Sequence, residues 1–336
     1  MISSSDISIR FLKTDEYQEW NNFIERQADG TLFQSSWWLQ TLTGRTPFIV
    51  GCWLEGELLG GWPLMPARLP LIRRSMQPPY TPYLAPVLSP RLNREEVLTA
   101  LLNALAEYSI LQVSIPPGYT EDGAASSIPI TKKWSRQELV HPTFFMGREE
   151  PQTEDKLLQY YSKDARYEVN RARREGLTTA HELDPDALYH LVTLTMEYKD
   201  RDVPISIEEV VALHQTLEFR RGYDSLMIGI MDGDGNCIAA AWVVCDPKAG
   251  YLLMSGIDRD LDPGYAGALL HHEAIKRVRE RGLIFNFEGS RIPGVQHFYQ
   301  KFNPRRAEVV TYTYLRRFWL KPLNYFLRIF TQKRIF

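Results

Sequence analysis

Near its end the chain reads FNFEGSRIPGVQHFYQKFNP (residues 285–304), and this stretch holds side chains suited to acid–base chemistry. Glu288 follows a strand-like run, and α/β sheets tend to carry functional side chains at the carboxyl ends of their strands. Glu288 could therefore take a proton from an amine, directly or through water. Tyr299, with an ordinary pKa of ~10, could give a proton to a leaving group. Structural roles are the alternative: Glu288 could cap a helix or pair with Arg291, and a buried Tyr299 could bond a backbone carbonyl.

A second candidate feature is a basic helix predicted within residues 153–175. Arg166, Asn170 and Arg173 lie at i, i+4 and i+7, so they share one helix face. Such a face suits a phosphorylated substrate or donor, and Lys301 could add charge from across the cleft. Glutamates on the same helix leave a solvated, salt-bridged helix as the alternative.

Composition limits the class of protein. The 336 residues predict two domains, and 44% hydrophobic with 24% charged residues is typical of a soluble globular protein. The net charge of −2 gives no strong field for DNA. Three cysteines without metal-ligand spacing, and no signal peptide, predict a cytoplasmic protein with reduced thiols and no metal. The longest apolar run is far shorter than the ~20 residues that span a bilayer.

Hydrophobic periodicity and turn residues predict the same order of elements in each half of the chain. Helices come first, then antiparallel strands, a helix, and a strand that ends at a Gly/Pro-rich break (SIPPG, then FEGSRIPG). We therefore expect an α/β (α+β) fold of two related units, residues 1–150 and 151–336, each with a mixed, mainly antiparallel sheet flanked by helices. Residues 316–336 hold six Lys/Arg and no acid, which fits a packed terminal strand and helix or a peripheral membrane contact.

Over residues 225–314 the order of elements resembles the core of the GNAT N-acyltransferases. LDPGYA (residues 261–266) stands where that family places its Q/R-x-x-G-x-G/A pyrophosphate loop, and FYQKFNP resembles its L-Y-E-K-x-G-F segment, whose tyrosine often protonates a leaving thiolate. The resemblance implies an acyl-CoA donor contacted by Gly264, Tyr265 and Gly267, with Tyr299 as the acid. The loop departs from the pattern because Leu261 replaces Gln/Arg and three aspartates oppose anion binding.

Tandem units with a basic helix resemble the Fem peptidyltransferases, which transfer amino acids from aminoacyl-tRNA to peptidoglycan precursors. Ser162, Arg166 and Gly176 follow their S-x-x-x-R-x-x-I-x-x-A-x-x-x-G pattern, and TLFQSSWWLQTL and PPYTPYLAPVL resemble their acetyltransferase relatives. The resemblance implies transfer of an acyl or aminoacyl group to an amine of a cell-envelope or polysaccharide precursor. Tyr299 replaces the lysine of the Fem enzymes, which favours a thioester donor. The alternatives are Fem-type chemistry with aminoacyl-tRNA, and a catalytically silent glycan- or peptide-binding protein.

We expect the substrate cleft to lie between the two units. Tyr80 and Tyr83 sit in a segment with five prolines, QPPYTPYLAPVLSP, which is too proline-rich for a regular helix or strand interior and fits the lining of a groove. The other wall would hold Glu288, Arg291 and Tyr299. Ser290 and Lys301 are further candidates for binding the substrate or donor.

Overall fold

The computed structural model describes residues 2–69, 72–117, 133–290 and 292–316, which form two compact units. Unit 1 comprises the described residues up to Val140 and from Glu308 onward, and unit 2 is His141–Ala307. The sequence placed one division near residue 150. In the structure, the chain from Glu308 onward belongs to unit 1, because its last described strand pairs with a strand of that unit in the register Val310↔Ile115.

Unit 1 is built on two groups of paired strands. Its elements are β1 (Ser8–Phe11), α1 (Tyr17–Arg26), α2 (Ser36–Thr43), β2 (Phe48–Leu54), β3 (Glu57–Leu64), β4 (Pro66–Leu69), β5 (Ile72–Ser75), β6 (Val87–Leu88), α3 (Arg94–Ala104), β7 (Ile110–Ile115), the start of β8 (Ser135–Met146) and most of β14 (Arg305–Leu315). An antiparallel sheet has the order β1-β2-β3-β6. In the second group, β5 pairs antiparallel with β4 and parallel with β7, and β7 pairs antiparallel with β14. Buried indoles such as Trp20, Trp38 and Trp62 fill the core.

Unit 2 holds the elements predicted for the acyltransferase-type core. They are α4 (Glu154–Tyr160), α5 (Lys163–Arg174), β9 (Thr178–Ala180), α6 (Pro185–Glu197), α7 (Ile207–Glu218), β10 (Asp224–Met231), β11 (Cys237–Cys245), β12 (Ala249–Ile257), α8 (Ala266–Arg279), β13 (Ile284–Asn286) and α9 (Pro293–Gln300). The strand order β9-β10-β11-β12-β13-β8 is antiparallel except between β12 and β13. α8 packs on this sheet along an almost wholly buried face. The predicted fold class is thus confirmed.

One helix prediction is changed by a side-chain cap. The pattern predicted one helix over residues 153–175, whereas the structure has α4 and α5 separated at Tyr161–Ser162, where Tyr161 is in extended conformation. The Ser162 hydroxyl accepts a hydrogen bond from the N–H of Ala165 at 3.2 Å and begins α5. The buried face of α5, which holds Ala165, Val169 and Ala172, packs in the same hydrophobic core as α8.

Candidate active site

A fixed turn follows β13. The buried amide oxygen of Asn286 accepts hydrogen bonds from the N–H of Glu288 at 2.9 Å and from the Thr143 hydroxyl at 3.2 Å. Glu288 has φ +52°, a conformation uncommon for residues with side chains and concentrated at functional sites. A Cβ on Gly289 would overlap the carbonyl oxygen of Pro142, so only glycine fits. The turn therefore fixes the position of the Glu288 backbone.

Tyr299 lies on α9 within a cluster of aromatic rings. Its side chain is buried, with ring centroids 5.0 Å from Phe287 and 6.3 Å from Phe144. Burial, and secondarily the negative charge of Glu288, raise the pKa of Tyr299 well above its ordinary value. The phenol is therefore protonated at neutral pH, and within the described ranges it makes no hydrogen bond. The two residues predicted to act as base and acid thus lie close enough to interact electrostatically.

His271 on α8 belongs to the same cluster, and the sequence reasoning missed it. Its Nδ1 lies 2.8 Å from the carbonyl oxygen of Gly267; since a carbonyl only accepts, Nδ1 carries the proton. Its ring centroid is 4.9 Å from Phe298 and 5.7 Å from Tyr299. Burial lowers the pKa of His271 to about 4, so the imidazole is neutral at pH 7. The sequence places His271 four residues after Gly267, a spacing that allows a bond to the Gly267 carbonyl oxygen within a helix. This spacing does not show which side chains the His271 ring contacts.

The predicted basic face of α5 is directed away from the loop that precedes α8. At about 100° per residue, Arg166, Asn170 and Arg173 share one side of α5, while Glu168 and Arg171 lie roughly opposite. Arg173 donates hydrogen bonds to Glu154 at 2.6 Å and Glu273 at 3.1 Å. Asn170 is exposed and Arg166 half-buried. Arg173 therefore links α5 to α4 and α8, a structural role for one of the three residues predicted to bind substrate or donor.

The opposite side of α5 meets the loop and α9. The guanidinium of Arg171 lies 4.6 Å from the ring centroid of Tyr265, in the loop before α8. Lys301 donates a hydrogen bond to Glu168 at 2.7 Å and lies over the Phe298 ring. Arg171 is therefore a cation next to the loop, and the sequence analysis did not single it out.

In the loop of residues 258–265, called here the α8 loop, aspartate side chains accept hydrogen bonds from nearby backbone N–H groups. Asp262 Oδ1 accepts hydrogen bonds from the N–H groups of Gly264 at 2.9 Å and Ala266 at 3.1 Å. Asp258 Oδ1 likewise accepts from the N–H of Asp260 at 2.9 Å. The backbone N–H groups of Gly264 and Ala266, at the start of α8, are the groups that would cradle a CoA diphosphate. With a carboxylate already on them, the α8 loop as it stands does not fit that group.

The remaining predicted residues have the following surroundings. Ser290 is half-buried; its hydroxyl accepts from the N–H of Ile292 at 3.2 Å and its carbonyl accepts from Gln296 at 2.8 Å, which orders the start of α9. In unit 1, Tyr83 is fully buried, and Tyr80 has φ +47°. Their contribution to a cleft stays a prediction.

Two predictions fall on parts of the chain that the structure leaves out. Arg291 lies outside the described residues, so its role stays a prediction. The tail from residue 317 also lies outside them, and the membrane contact of the tail is still a prediction. Among the helices that are described, none has the length and apolarity to cross a bilayer.

A cluster of charged groups joins α4 to α8. Ligand atoms of Glu154, His272 and Glu273 lie within 4.8 Å of one another, a spacing that could hold a metal ion. Arg173 already bonds both glutamates, and Lys276 Nζ lies 2.6 Å from Glu273. Because these two cations balance the two carboxylates, the arrangement is that of an ion-pair network. The absence of a metal cofactor remains a prediction.

Comparison with known proteins supports the sequence reading. Residues 161–291 match the family model of the acetyltransferase (GNAT) domain. This match confirms the predicted resemblance for most of unit 2, which therefore carries a GNAT-type N-acyltransferase domain. No curated protein matches the chain in sequence.

Solved structures show the same fold at low sequence identity. FemX superposes with a TM-score of 0.61 at 14% identity, over 90% of this chain and 96% of that chain. L-PGS from Bacillus licheniformis gives 0.58 at 13% identity, over 94% and 97% of the two chains. A tandem GNAT protein from the clavulanic acid biosynthesis pathway gives 0.52 at 14%, over 93% and 99%. The predicted tandem GNAT-like, Fem-like fold is confirmed; at these identities the likeness concerns the fold alone.

Proposed function

Because residues 161–291 carry a GNAT-type acyltransferase domain, we propose that this protein transfers an acyl or aminoacyl group from an activated ester or thioester to an amine. The acceptor we propose is a cell-envelope or polysaccharide precursor, and the compartment the cytoplasm. The observation that carries the proposal is the match of residues 161–291 to the acetyltransferase (GNAT) domain. In unit 2, Glu288 follows β13 in a fixed turn, and its charge adds to the effect of burial in raising the pKa of Tyr299. Acyl transfer to an amine needs such a base and such an acid.

The two groups divide the proton transfers between them. Glu288 takes a proton from the ammonium form of the acceptor, and the free amine attacks the acyl carbon. As the bond to the leaving group breaks, Tyr299 gives it the phenolic proton. The resulting phenolate is unfavourable in its buried aromatic cluster, so it recovers a proton from the nearby carboxylic acid of Glu288. After attack the nitrogen still carries one proton more than an amide, and it releases that proton to water. The enzyme returns to its starting state, and the products are an amide, a protonated leaving group and one proton in solvent.

The acidity of Tyr299 bears on the leaving group. A phenol whose pKa is raised above ~10 transfers a proton uphill to a thiolate, whose conjugate acid has a pKa near ~8.5. Transfer to an alkoxide is easier, since alkoxides are far more basic. The GNAT match and the replacement of the Fem lysine by Tyr299 suggest a thioester donor such as acyl-CoA, whereas a phenol with a raised pKa protonates an alkoxide more readily than a thiolate. An assay must therefore include both donor types.

The test is amide formation by the purified full-length protein. Acetyl-CoA and an aminoacyl oxygen ester are each offered with a panel of amino sugars and peptide amines, and products are identified by mass spectrometry. Tyr299→Phe and Glu288→Gln should each lower kcat at least ~100-fold, the usual scale for an acid or base. Tyr189→Phe, which removes a phenol bonded to the Ile205 carbonyl, should keep kcat within about twofold. If both active-site variants retain more than half of wild-type kcat, the assignment is wrong.

Two alternatives are separated by binding measurements. Fem-type transfer from aminoacyl-tRNA is favoured by the fold shared with FemX, and absence of a tRNA gel shift at low salt would exclude it. A silent glycan- or peptide-binding protein is favoured by the occupied amides of the α8 loop. Glycan binding without amide product from either donor type would support that reading.

A further inference from the structure

The start of α8 is the place where a diphosphate-bearing donor would be held. Backbone N–H groups at a helix N-terminus point outward and carry partial positive charge, so they attract anions. In this chain α8 begins at Ala266, and Gly264 just before it has φ +98°, which lets the backbone turn sharply into the helix. The backbone shape of an anion cradle is thus present, and what differs is its occupant.

The occupant is the side chain of Asp262. A single oxygen, Oδ1, receives the N–H groups of both Gly264 and Ala266, so one carboxylate spans the amides on either side of Tyr265. Hydrogen bonds to an ionised acceptor are stronger than neutral ones. A phosphate that entered would have to displace a charged group already bound to the same donors.

The charge around the α8 loop adds to this effect. Asp258 and Asp260 accompany Asp262, and like charges at a few ångströms repel strongly near a protein surface. Of the nearby cations, Arg259 lies over the Tyr198 ring at 4.9 Å. Arg171 stacks on Tyr265 and its Nε also lies 3.4 Å from Glu175. The loop therefore presents net negative charge at the place where a diphosphate would need positive charge.

We infer that Asp262 closes the α8 loop to diphosphates, and that the acyl donor of this protein is an activated carboxylic ester or thioester whose carrier has no diphosphate, rather than acyl-CoA. The inference rests on the proposed function for the reaction itself. The closure of the loop, in contrast, is a binding property and can be measured without turnover.

The test compares two probes on four forms of the full-length protein by calorimetry. CoA contains the diphosphate, and 4′-phosphopantetheine ends in a single phosphate. The wild type should bind both probes within about threefold of each other. Asp262→Ala frees the two amides and should tighten CoA binding at least tenfold, with phosphopantetheine binding changed less than threefold.

Two matched variants separate occupancy from charge. Asp262→Asn keeps an oxygen that can accept both N–H groups but loses the charge, so CoA affinity should stay within about threefold of wild type. Asp260→Ala removes the same charge from the same loop without freeing the amides of α8, and should also change CoA affinity less than threefold. Circular dichroism confirms that each variant is folded.

The inference is overturned if wild type binds CoA at least tenfold more tightly than phosphopantetheine, or if Asp262→Ala gains no CoA affinity. Amide formation by wild type with acetyl-CoA at micromolar KM would also overturn it, while leaving the proposed acyl transfer intact. Conversely, a gain of CoA binding in Asp262→Ala without amide product from any donor would support the closed loop and contradict the proposed reaction.

Discussion

Glu273→Gln should destabilise unit 2 far more than Glu175→Gln, although each substitution removes one carboxylate paired with an arginine. The side chain of Glu273 is 4% exposed and lies 2.6 Å from Lys276 and 3.1 Å from Arg173, whereas Glu175 is 50% exposed and lies 3.4 Å from Arg171. Breaking a buried pair costs 3–5 kcal/mol as a rough range. Both cations would remain near Glu154, so we expect about 3 kcal/mol. The exposed pair contributes about 0.3–0.5 kcal/mol.

Thermal unfolding of the full chain measures the difference. For a unit of this size, 1 kcal/mol shifts Tm by roughly 2–4 °C, so Glu273→Gln should lower the unit 2 transition by about 6–12 °C and Glu175→Gln by about 1 °C. Added salt should remove the smaller effect and leave the larger one, because buried pairs are screened less. Equal shifts, or less than about 2 °C for Glu273→Gln, would refute the structural role of Arg173 and return it to the candidate substrate-binding residues.

Two further predictions concern backbone space and pH. Gly289→Ala should cost about 2 kcal/mol of stability and lower kcat, since its Cβ meets a backbone oxygen. Gly294→Ala, with open space around it in α9, should be neutral or stabilising by up to ~1 kcal/mol. Urea unfolding compares the two variants, and equal effects would contradict the steric argument. Burial lowers the pKa values of His271 and His272 from 6.5 to about 4. Between pH 6.5 and pH 4 the unfolded chain therefore binds more protons than the folded protein. Stability should therefore fall as pH drops from 6.5 to 4, by about 3 kcal/mol per histidine, and the double Gln variant should flatten the pH dependence of Tm; a wild-type Tm that stays constant over that range would contradict it.

Elements with local signals were predictable. The capping box at Ser206 begins α7 as its spacing indicates, with the Glu209 carboxylate accepting from the N–H of Ser206 at 2.7 Å. The meander of β10, β11 and β12 follows from turn residues between apolar runs. β8 and β14 escaped prediction. β14 pairs with β7, almost two hundred residues earlier, and its partner cannot be read from its own pattern.

The candidate site divides in the same way. Glu288 and Tyr299 could be named from residue type and position, because a strand end and a nearby helix are local features. For Arg173 the sequence left substrate binding and a salt-bridged helix as alternatives, since it does not show that Glu154 and Glu273 come from two other helices to pair with this residue. His271 was missed because only the packing of α8 against α9 brings its ring to the aromatic cluster.

The sequence by itself determined the order of elements, because that order depends on periodicity, caps and turns within short stretches. Its resemblance to the GNAT and Fem families implied the tandem acyltransferase-like fold, and Glu288 and Tyr299 as base and acid remain a prediction. Tertiary structure alone decided which charges are already paired and which amides are already occupied. Asp262 illustrates the difference. The sequence showed an acidic loop where an anion was expected, and the structure showed that carboxylate seated on the N–H groups of Gly264 and Ala266. A hydrogen bond depends on where two atoms lie in space, which spacing along the chain does not specify.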